Sequence, residues 1–181
     1  MTRQAIRGIG YCARMNAVGD WAFNFALDLA VDHDVQLDVF FFPEPPTQPH
    51  APRGRAGEQA GLTDDQRIAL ERDVRLYYDQ LAGEFVKVGF RLCEGDEEPE
   101  LQRCLLVRRE YDVLVLAYEG LGCAFGSRTI EEFANRMPCP TVLVGPTRPD
   151  QVFLNAPAVL YADALRLGAG EWTPIGAPSA T

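Results

Sequence analysis

Short apolar runs alternate with amphipathic stretches along most of the chain. The runs from Val113 to Ala117 and from Thr141 to Val144 are almost wholly apolar, which is typical of parallel strands covered by helices on both faces. Between them, apolar residues recur with the i, i+3, i+4, i+7 spacing of one helical face, at Ile130, Phe133, Ala134 and Met137. Residues 111–145 therefore predict a strand, a glycine-rich loop, a helix and a second parallel strand.

The N-terminal half repeats this alternation. Ile6 to Ala13 and Val35 to Phe42 predict the first two strands, and a buried helix that starts at Gly19 and Asp20 joins them. These three elements form a second parallel crossover unit.

A long helix is predicted to follow Thr63, which forms a capping box with Gln66, and to end at Gly89. Phe90 to Cys93 predicts a third strand, at an edge of the sheet, and a short helix then has Pro99 in its first turn. Five strands thus alternate with four helices. This arrangement favours the α/β class, with an open, doubly wound parallel five-stranded sheet of order 3-2-1-4-5 and helices on both faces.

Two segments depart from this regular pattern, which otherwise predicts one domain over residues 1–146. Residues 43–61 are rich in proline and predict a flexible loop. Residues 147–181 predict a C-terminal extension. Because Val152 to Leu154 and Val159 to Tyr161 are apolar, we expect this extension to pack on the domain or on a partner subunit.

Composition narrows the range of partners. The net charge of −9 repels phosphate backbones, so nucleic acid and anionic membranes are not expected to bind. No stretch reaches the ~20 apolar residues that a membrane span requires. The five cysteines are scattered and form no C-x-x-C pair, which favours a reduced, cytoplasmic protein without a zinc site.

The order of motifs in the C-terminal half resembles a known family. Asp112 to Ala117 forms an apolar strand after an aspartate, Gly126-Ser127 ends a glycine-rich loop, and Pro138 to Val144 reads PCPTVLV. This order is similar to that of universal stress protein domains, which have the adenine nucleotide alpha-hydrolase-like fold. The resemblance implies a cytoplasmic stress-response protein that binds an adenine nucleotide, ATP or AMP, and forms a homodimer by pairing its fifth strand, here Thr141 to Val144.

Two loops are expected to meet at the switch point of such a sheet, Ala13 to Asp20 and Ala117 to Ser127. Gly126 and Ser127 would place backbone N–H groups at a helix start, where an anion is favoured, and Arg14 or Arg128 would supply positive charge. The candidate binding residues are Ala13, Arg14, Ala117, Gly120, Gly122, Gly126, Ser127 and Arg128. The alternative is that the glycines only turn the chain and that Ser127 or Thr129 only caps its helix.

The loop departs from the G-x2-G-x9-G-[S/T] pattern that the resemblance implies for nucleotide binders. Ala117 replaces the first glycine, and only five residues separate Gly120 from Gly126. The first strand also lacks the aspartate that the family places at its end. Three acidic residues near the loop would repel a triphosphate, namely Glu119, Glu131 and Glu132. These departures disfavour ATP and leave AMP or another small anion open.

Three functions are consistent with the sequence. The first is a non-catalytic binding or regulatory protein with the cleft as its ligand site. The second is a small nucleotide-hydrolysing enzyme of the same fold, for which the loops offer Cys12, Arg14, Asn16, Asp20 and Glu119. The third is a dimeric module that binds a protein partner and no ligand. A thiol role for Cys12 and Cys123, one on each loop, stays open beside them.

Overall fold

The computed structural model describes residues 5–43, 62–105 and 111–176. Apart from Pro43, the loop predicted at 43–61 lies outside these ranges. The α-helices within them are α1 Ala17–His33, α2 Asp64–Ala82, α3 Glu97–Arg103, α4 Ile130–Arg136 and α5 Ala156–Val159. None of these helices is long and apolar enough to cross a membrane.

The described strands are β1 Gly8–Cys12, β2 Gln36–Phe41, β3 Val88–Leu92, β4 Val113–Ala117, β5 Ala124–Phe125, β6 Arg128–Thr129, β7 Thr141–Val144, β8 Val152–Leu154 and β9 Thr173–Pro174. Strands β5 and β6 form a separate hairpin, and the other seven form one central sheet in the order β3-β2-β1-β4-β7-β8-β9. The first five of these are parallel and have the predicted order 3-2-1-4-5, so the predicted fold class is confirmed. The sheet is longer than predicted because β8 and β9 extend it.

Alternate residues of each central strand enter one of two cores. On β4, Val113 and Val115 pack with α1 and α2, whereas Leu114 and Leu116 pack with α3 and α4. All five residues of β4 are buried, which is why its sequence is apolar throughout. The helices therefore cover both faces of the sheet, as predicted.

Helix boundaries differ from the prediction at two points. Helix α1 begins at Ala17 rather than Gly19, because Asn16 is its N-cap and accepts a hydrogen bond from the Gly19 amide. Helix α2 has the predicted Thr63–Gln66 capping box, but it ends at Ala82 instead of Gly89. The C-cap, Gly83, has a φ of 59°, a conformation that favours glycine.

The C-terminal extension changes the role expected of the fifth parallel strand. Strand β8 pairs antiparallel with β7, with Leu143 opposite Phe153, while β4 pairs with the other side of β7. The prediction that Thr141 to Val144 pairs with a second subunit is therefore wrong for this edge, since the same chain occupies it. A boundary of the domain at residue 146 stays a prediction.

Besides the pairing of β8 with β7, one buried side chain joins the extension to the rest of the fold. Asn155 is 1% exposed, and its amide nitrogen donates to the carbonyls of Ala134 and Cys139 at 2.9 and 3.0 Å. Its amide oxygen accepts from the backbone N–H groups of Thr141 and Ala158 at 2.9 and 3.0 Å. One side chain thus links the end of α4, the start of β7 and the N-terminus of α5.

Replacing Asn155 with Ala should lower the free energy of unfolding by about 3 kcal/mol or more. Each buried donor or acceptor that loses its partner costs about 1–3 kcal/mol, and four backbone groups lose one here. Urea unfolding followed by circular dichroism measures this loss. Asn24→Ala, at an exposed position of α1, is the matched control and should change stability by less than about 0.5 kcal/mol. Equal losses in both variants would contradict the role of Asn155.

Candidate functional site

The two loops predicted to converge at the switch point do so. Strands β1 and β4 are neighbours in the sheet, and their following loops touch. The side-chain amide of Asn16 donates to the Glu119 carboxylate, and the Arg14 guanidinium lies 5.2 Å from the centre of the Phe125 ring. Ligand-binding clefts of open α/β sheets form at this place in the topology, so these loops define the candidate site.

Buried tyrosines hold the first of the two loops. The Tyr11 hydroxyl lies 2.9 Å from the Tyr78 hydroxyl and donates to the Gly19 carbonyl at 2.9 Å. Tyr77 donates to the Asp20 carboxylate at 2.6 Å, and this hydrogen bond raises the pKa of Tyr77 to about 12. The start of α1 is therefore fixed to α2, so this side of the cleft is rigid.

Close backbone packing leaves no space for a side chain at two glycines beside the cleft. A Cβ atom on Gly19 would lie 1.7 Å from the Arg14 carbonyl oxygen. A Cβ atom on Gly145, which follows β7, would lie 2.5 Å from the Tyr118 carbonyl oxygen and 2.8 Å from Cγ1 of Val18. The loops after β1, β4 and β7 are thus in direct contact with one another.

The glycine-rich loop has a different shape from the one that its sequence predicts. Gly126 and Ser127 form the two-residue turn of a small antiparallel hairpin between β5, Ala124–Phe125, and β6, Arg128–Thr129. Gly126 has a φ of 62°, as a hairpin turn with glycine in its first position requires.

Helix α4 begins only at Ile130, with Thr129 as its N-cap and Glu132 completing a capping box. The prediction that Gly126 and Ser127 start this helix, and so present its N-terminus to an anion, is therefore wrong. Of the two predicted caps, Thr129 is the correct one.

A carboxylate of the same chain occupies the inside of this loop. Glu131 accepts hydrogen bonds from the Gly122 backbone N–H at 3.0 Å and from the Tyr118 hydroxyl at 2.7 Å. Partial burial alone would raise the pKa of Glu131, but its hydrogen bonds, with those from Tyr118 and Gly122 foremost and further ones from its own backbone N–H and Thr129, together hold the pKa below its usual value. Glu131 is therefore ionised at neutral pH and satisfies the Gly122 amide of the loop.

Both predicted cationic residues are already engaged. Arg128 donates through Nε to Glu98 at 3.0 Å, and Arg136 binds the other oxygen of the same carboxylate at 3.1 Å. Burial alone would raise the pKa of Glu98, and the two arginines together lower it. Arg14 donates to the Ala13 carbonyl at 3.2 Å while its guanidinium lies against Phe125.

A cavity of about 260 Å³ separates the hairpin turn from the start of α3. Its lining is mainly polar and includes three carboxylates: Asp96, Glu97, Glu98, Pro99, Gln102, Phe125, Gly126, Ser127 and Arg128. Since only Arg128 contributes positive charge to this lining, the cavity disfavours anions. Among the described residues, no group of histidine, cysteine and acidic side chains could hold a metal ion.

The remaining candidate binding residues, Ala13, Ala117 and Gly120, have structural roles in the backbone. Ala13 donates its N–H to the Phe40 carbonyl at 2.8 Å, and Ala117 ends β4 opposite Val144. Gly120 lies beside Cys123, where a Cβ atom would be 3.8 Å from its sulfur. Sequence reasoning missed Tyr118 and the acidic start of α3, and it treated Glu131 as a charge that would repel a triphosphate. The spacing of Gly122 and Glu131 across a short loop was the only available signal.

The two loop cysteines have different surroundings. Cys12, expected on the first loop, is instead the last residue of β1; it is buried in the same core cluster as Cys93 and Cys104, and burial raises the pKa of its thiol far above the usual range. Cys123 is half-buried on the loop. Because a thiolate is the reactive form, Cys12 is a poor nucleophile in this environment.

Comparison with solved structures identifies the fold. The chain is similar to the universal stress protein UspA from Lactobacillus plantarum, with 14% identity, a TM-score of 0.53, and 77% of this chain and 97% of that chain covered. It is also similar to a universal stress protein family member from Burkholderia pseudomallei, with 16% identity, a TM-score of 0.55, and coverage of 79% and 98%. No family model and no curated protein matches the sequence. The chain therefore has the universal stress protein fold, and the predicted resemblance is confirmed at this level.

Acidification should remove the stabilising contribution of Glu131. A carboxyl whose folded-state pKa is lowered stabilises the fold above its unfolded pKa of about 4.3, and this contribution disappears as the pH falls through the folded-state pKa. Glu131→Gln should therefore melt at a lower temperature than the unsubstituted protein at pH 7, and the difference should shrink towards pH 3.5. Glu84→Gln, at an exposed position, is the matched control. A difference in melting temperature that is independent of pH would refute this assignment.

Proposed function

We propose that this chain is a non-catalytic binding and regulatory protein of the universal stress protein fold whose switch-point cleft does not take a nucleoside triphosphate. The observation that carries the proposal is the position of Glu131. Its carboxylate accepts from the Gly122 amide and the Tyr118 hydroxyl, inside the loop where phosphate oxygens would be expected. The Glu131 carboxylate thus takes the place that a phosphate group of a ligand would have.

Electrostatics supports the same conclusion. Glu119 and Glu131 lie on either side of the glycine loop, and Glu97 reaches to within 2.9 Å of the Cβ position of Gly126. Two like charges 4 Å apart repel by about 1 kcal/mol in water and by about 4 kcal/mol at the lower effective dielectric of a protein surface. Arg128 does not offset this repulsion, since it is already ion-paired with Glu98, and Arg14 alone supplies one positive charge against these carboxylates.

The hydrolase alternative gains little from the geometry of the loops. Asp20 accepts from Tyr77, Glu119 accepts from Asn16, and the Cys12 thiol is buried with a raised pKa. Within the described ranges, none of the three is hydrogen-bonded to a group that would activate it towards a substrate. We therefore assign binding rather than turnover to this protein, acting through its surface in the stress-response role that the fold resemblance implies.

Isothermal titration calorimetry with ATP, ADP and AMP tests this assignment. No nucleotide should bind with a dissociation constant below about 1 mM, an affinity that corresponds to about 4 kcal/mol. Thermal shift at the same ligand concentrations should show no stabilisation, because a ligand raises the melting temperature only by binding the folded state.

A matched substitution tests whether the charge of Glu131 is what excludes phosphate from the loop. Glu131→Gln keeps the size of the side chain but removes its charge, so any residual affinity for phosphate should rise in this variant and not in Glu84→Gln. Tight binding of ATP by the unsubstituted protein, lost in Gly122→Val, would overturn the proposal. Steady release of phosphate from ATP would favour the hydrolase instead.

A further inference from the structure

The C-terminal extension and α1 border a cavity of about 530 Å³, about twice the volume of the one beside the hairpin turn. Its walls come from α1, from the loop that joins β7 to β8, and from residues 167–173 of the extension. Small-molecule sites have volumes of about 300–1,000 Å³. None of the described residues lines both this cavity and the hairpin cavity, so the two are separate places on the molecule.

Contacts at the end of α1 hold the extension in place as one wall of the cavity. The His33 ring nitrogen Nε2 lies 2.8 Å from the Ala164 carbonyl oxygen, and Arg166 forms an ion pair with Asp32 at 3.3 Å. Leu165, between these two contacts, is 1% exposed. The segment that leads into the cavity is therefore fixed to the helix that provides another of its walls.

A tight turn presents two neighbouring side chains to the cavity. The Glu171 N–H donates to the Gly168 carbonyl at 3.1 Å, and Gly170 has a φ of 88°, a value typical of the third position of a type II turn. The Gly168 N–H donates to the Glu171 carboxylate at 2.6 Å. Because this hydrogen bond holds the carboxylate to the turn, Glu171 has a fixed position at the cavity wall, beside Trp172.

Three apolar side chains line the cavity beside this turn, namely Phe25 of α1, Leu167 and Trp172. All three pack against the larger core cluster and are nevertheless only half-buried. Each therefore keeps apolar surface in contact with water, and covering that surface with an apolar group of a ligand is favourable. The faces of the tryptophan and phenylalanine rings can also attract a cation.

The charged side chains of the described lining favour a cation as well. Arg148 and Asp150 lie 3.5 Å apart and are 68% and 74% exposed, so their charges offset each other. Glu171 is the third charged residue, which gives this lining one positive and two negative charges. A net charge of −1 beside two aromatic rings favours a positively charged group and disfavours a carboxylate or a phosphate.

We propose that this cavity binds an amphiphilic amine, which is a protonated amine that carries an aromatic or other bulky apolar group. The apolar group lies against Phe25, Leu167 and Trp172, and the ammonium lies beside Glu171. A carboxylate can accept several hydrogen bonds, and the Gly168 N–H supplies one of them, so the ammonium can donate to the same group. An aliphatic amine has a pKa of about 10 and is therefore charged at neutral pH.

This site goes beyond the proposed function and does not rest on it. The nucleotide experiment reports on the loops after β1 and β4, whereas this cavity lies between the loop after β7 and the extension. Failure of the amine to bind would leave the cleft assignment untouched. Tight binding of a nucleotide at the cleft would leave the amine site untouched.

Three probes of the same shape and different charge test the site on the unsubstituted full chain. Phenylpropylamine, phenylpropanol and phenylpropanoate each carry a benzene ring on a propyl chain that ends in a positive, a neutral or a negative group. In isothermal titration calorimetry at pH 7, the amine should have a dissociation constant below about 1 mM and should bind at least about tenfold more tightly than the alcohol. The acid should bind more weakly than the alcohol, because the lining repels it.

Tryptophan fluorescence locates the bound amine. The chain has two tryptophans, Trp21 and Trp172, of which Trp172 lines the cavity. Phenylpropylamine should therefore change the tryptophan emission of the unsubstituted protein, and this change should disappear in Trp172→Phe. Calorimetry should still detect binding to Trp172→Phe, because phenylalanine keeps an aromatic face at this position.

Glu171→Gln tests the charge itself. Glutamine keeps an oxygen that can accept from the Gly168 N–H but carries no charge. The amine should therefore lose at least about tenfold in affinity, while the alcohol should bind as before. Glu84→Gln, at an exposed position in the turn after α2, is the matched control and should leave both affinities unchanged.

Four results would overturn the proposal. The first is the absence of any heat of binding from phenylpropylamine at about 10 mM, ten times the expected limit of the dissociation constant. The second is an equal affinity of the unsubstituted protein for amine, alcohol and acid, a result that depends on no variant. The third is a fluorescence change that persists in Trp172→Phe. The fourth is an amine affinity that Glu171→Gln leaves unchanged while circular dichroism shows this variant to be folded.

Discussion

The four hydrogen bonds of one buried amide hold the C-terminal part of this structure together. Asn155 is almost fully inaccessible, and a buried polar side chain is tolerated only when its donors and acceptors are paired. Here they pair with α4, with the start of β7 and with α5, so this residue reinforces the register that the backbone pairing of β8 with β7 sets. Without that register the apolar edge of the parallel sheet would be exposed.

A polar group of the cleft loop is likewise paired within the chain. A loop that turns around several glycines has backbone N–H groups to satisfy, and an anion is the usual partner for them. In this chain Glu131 satisfies the amide of Gly122 and also binds Tyr118. The fold resemblance and the chemistry of the loop therefore lead to different expectations, and the chemistry is the more specific of the two.

Periodicity was enough to predict the parallel strands and the layers of helices, because burial on both faces leaves a continuous apolar run in the sequence. The strand order came from the general arrangement of doubly wound sheets. Periodicity failed where contacts distant in the chain decide the structure. From the sequence, Gly126 and Ser127 predict a helix start. In the structure they form the turn of a hairpin in which Phe125 pairs with Arg128. The carboxylate in the loop and the pairing of β8 depend on tertiary contacts that no local pattern records.

Under the proposed function, the loop that Glu131 holds keeps one conformation at any nucleotide concentration. In a protein whose state depends on a bound ligand, the bound fraction follows the ligand concentration. Such a protein changes state as that concentration crosses the dissociation constant. Here the ordering of the loop is completed during folding. The regulatory effect of such a protein would then depend on its own concentration in the cell, which its rates of synthesis and degradation determine.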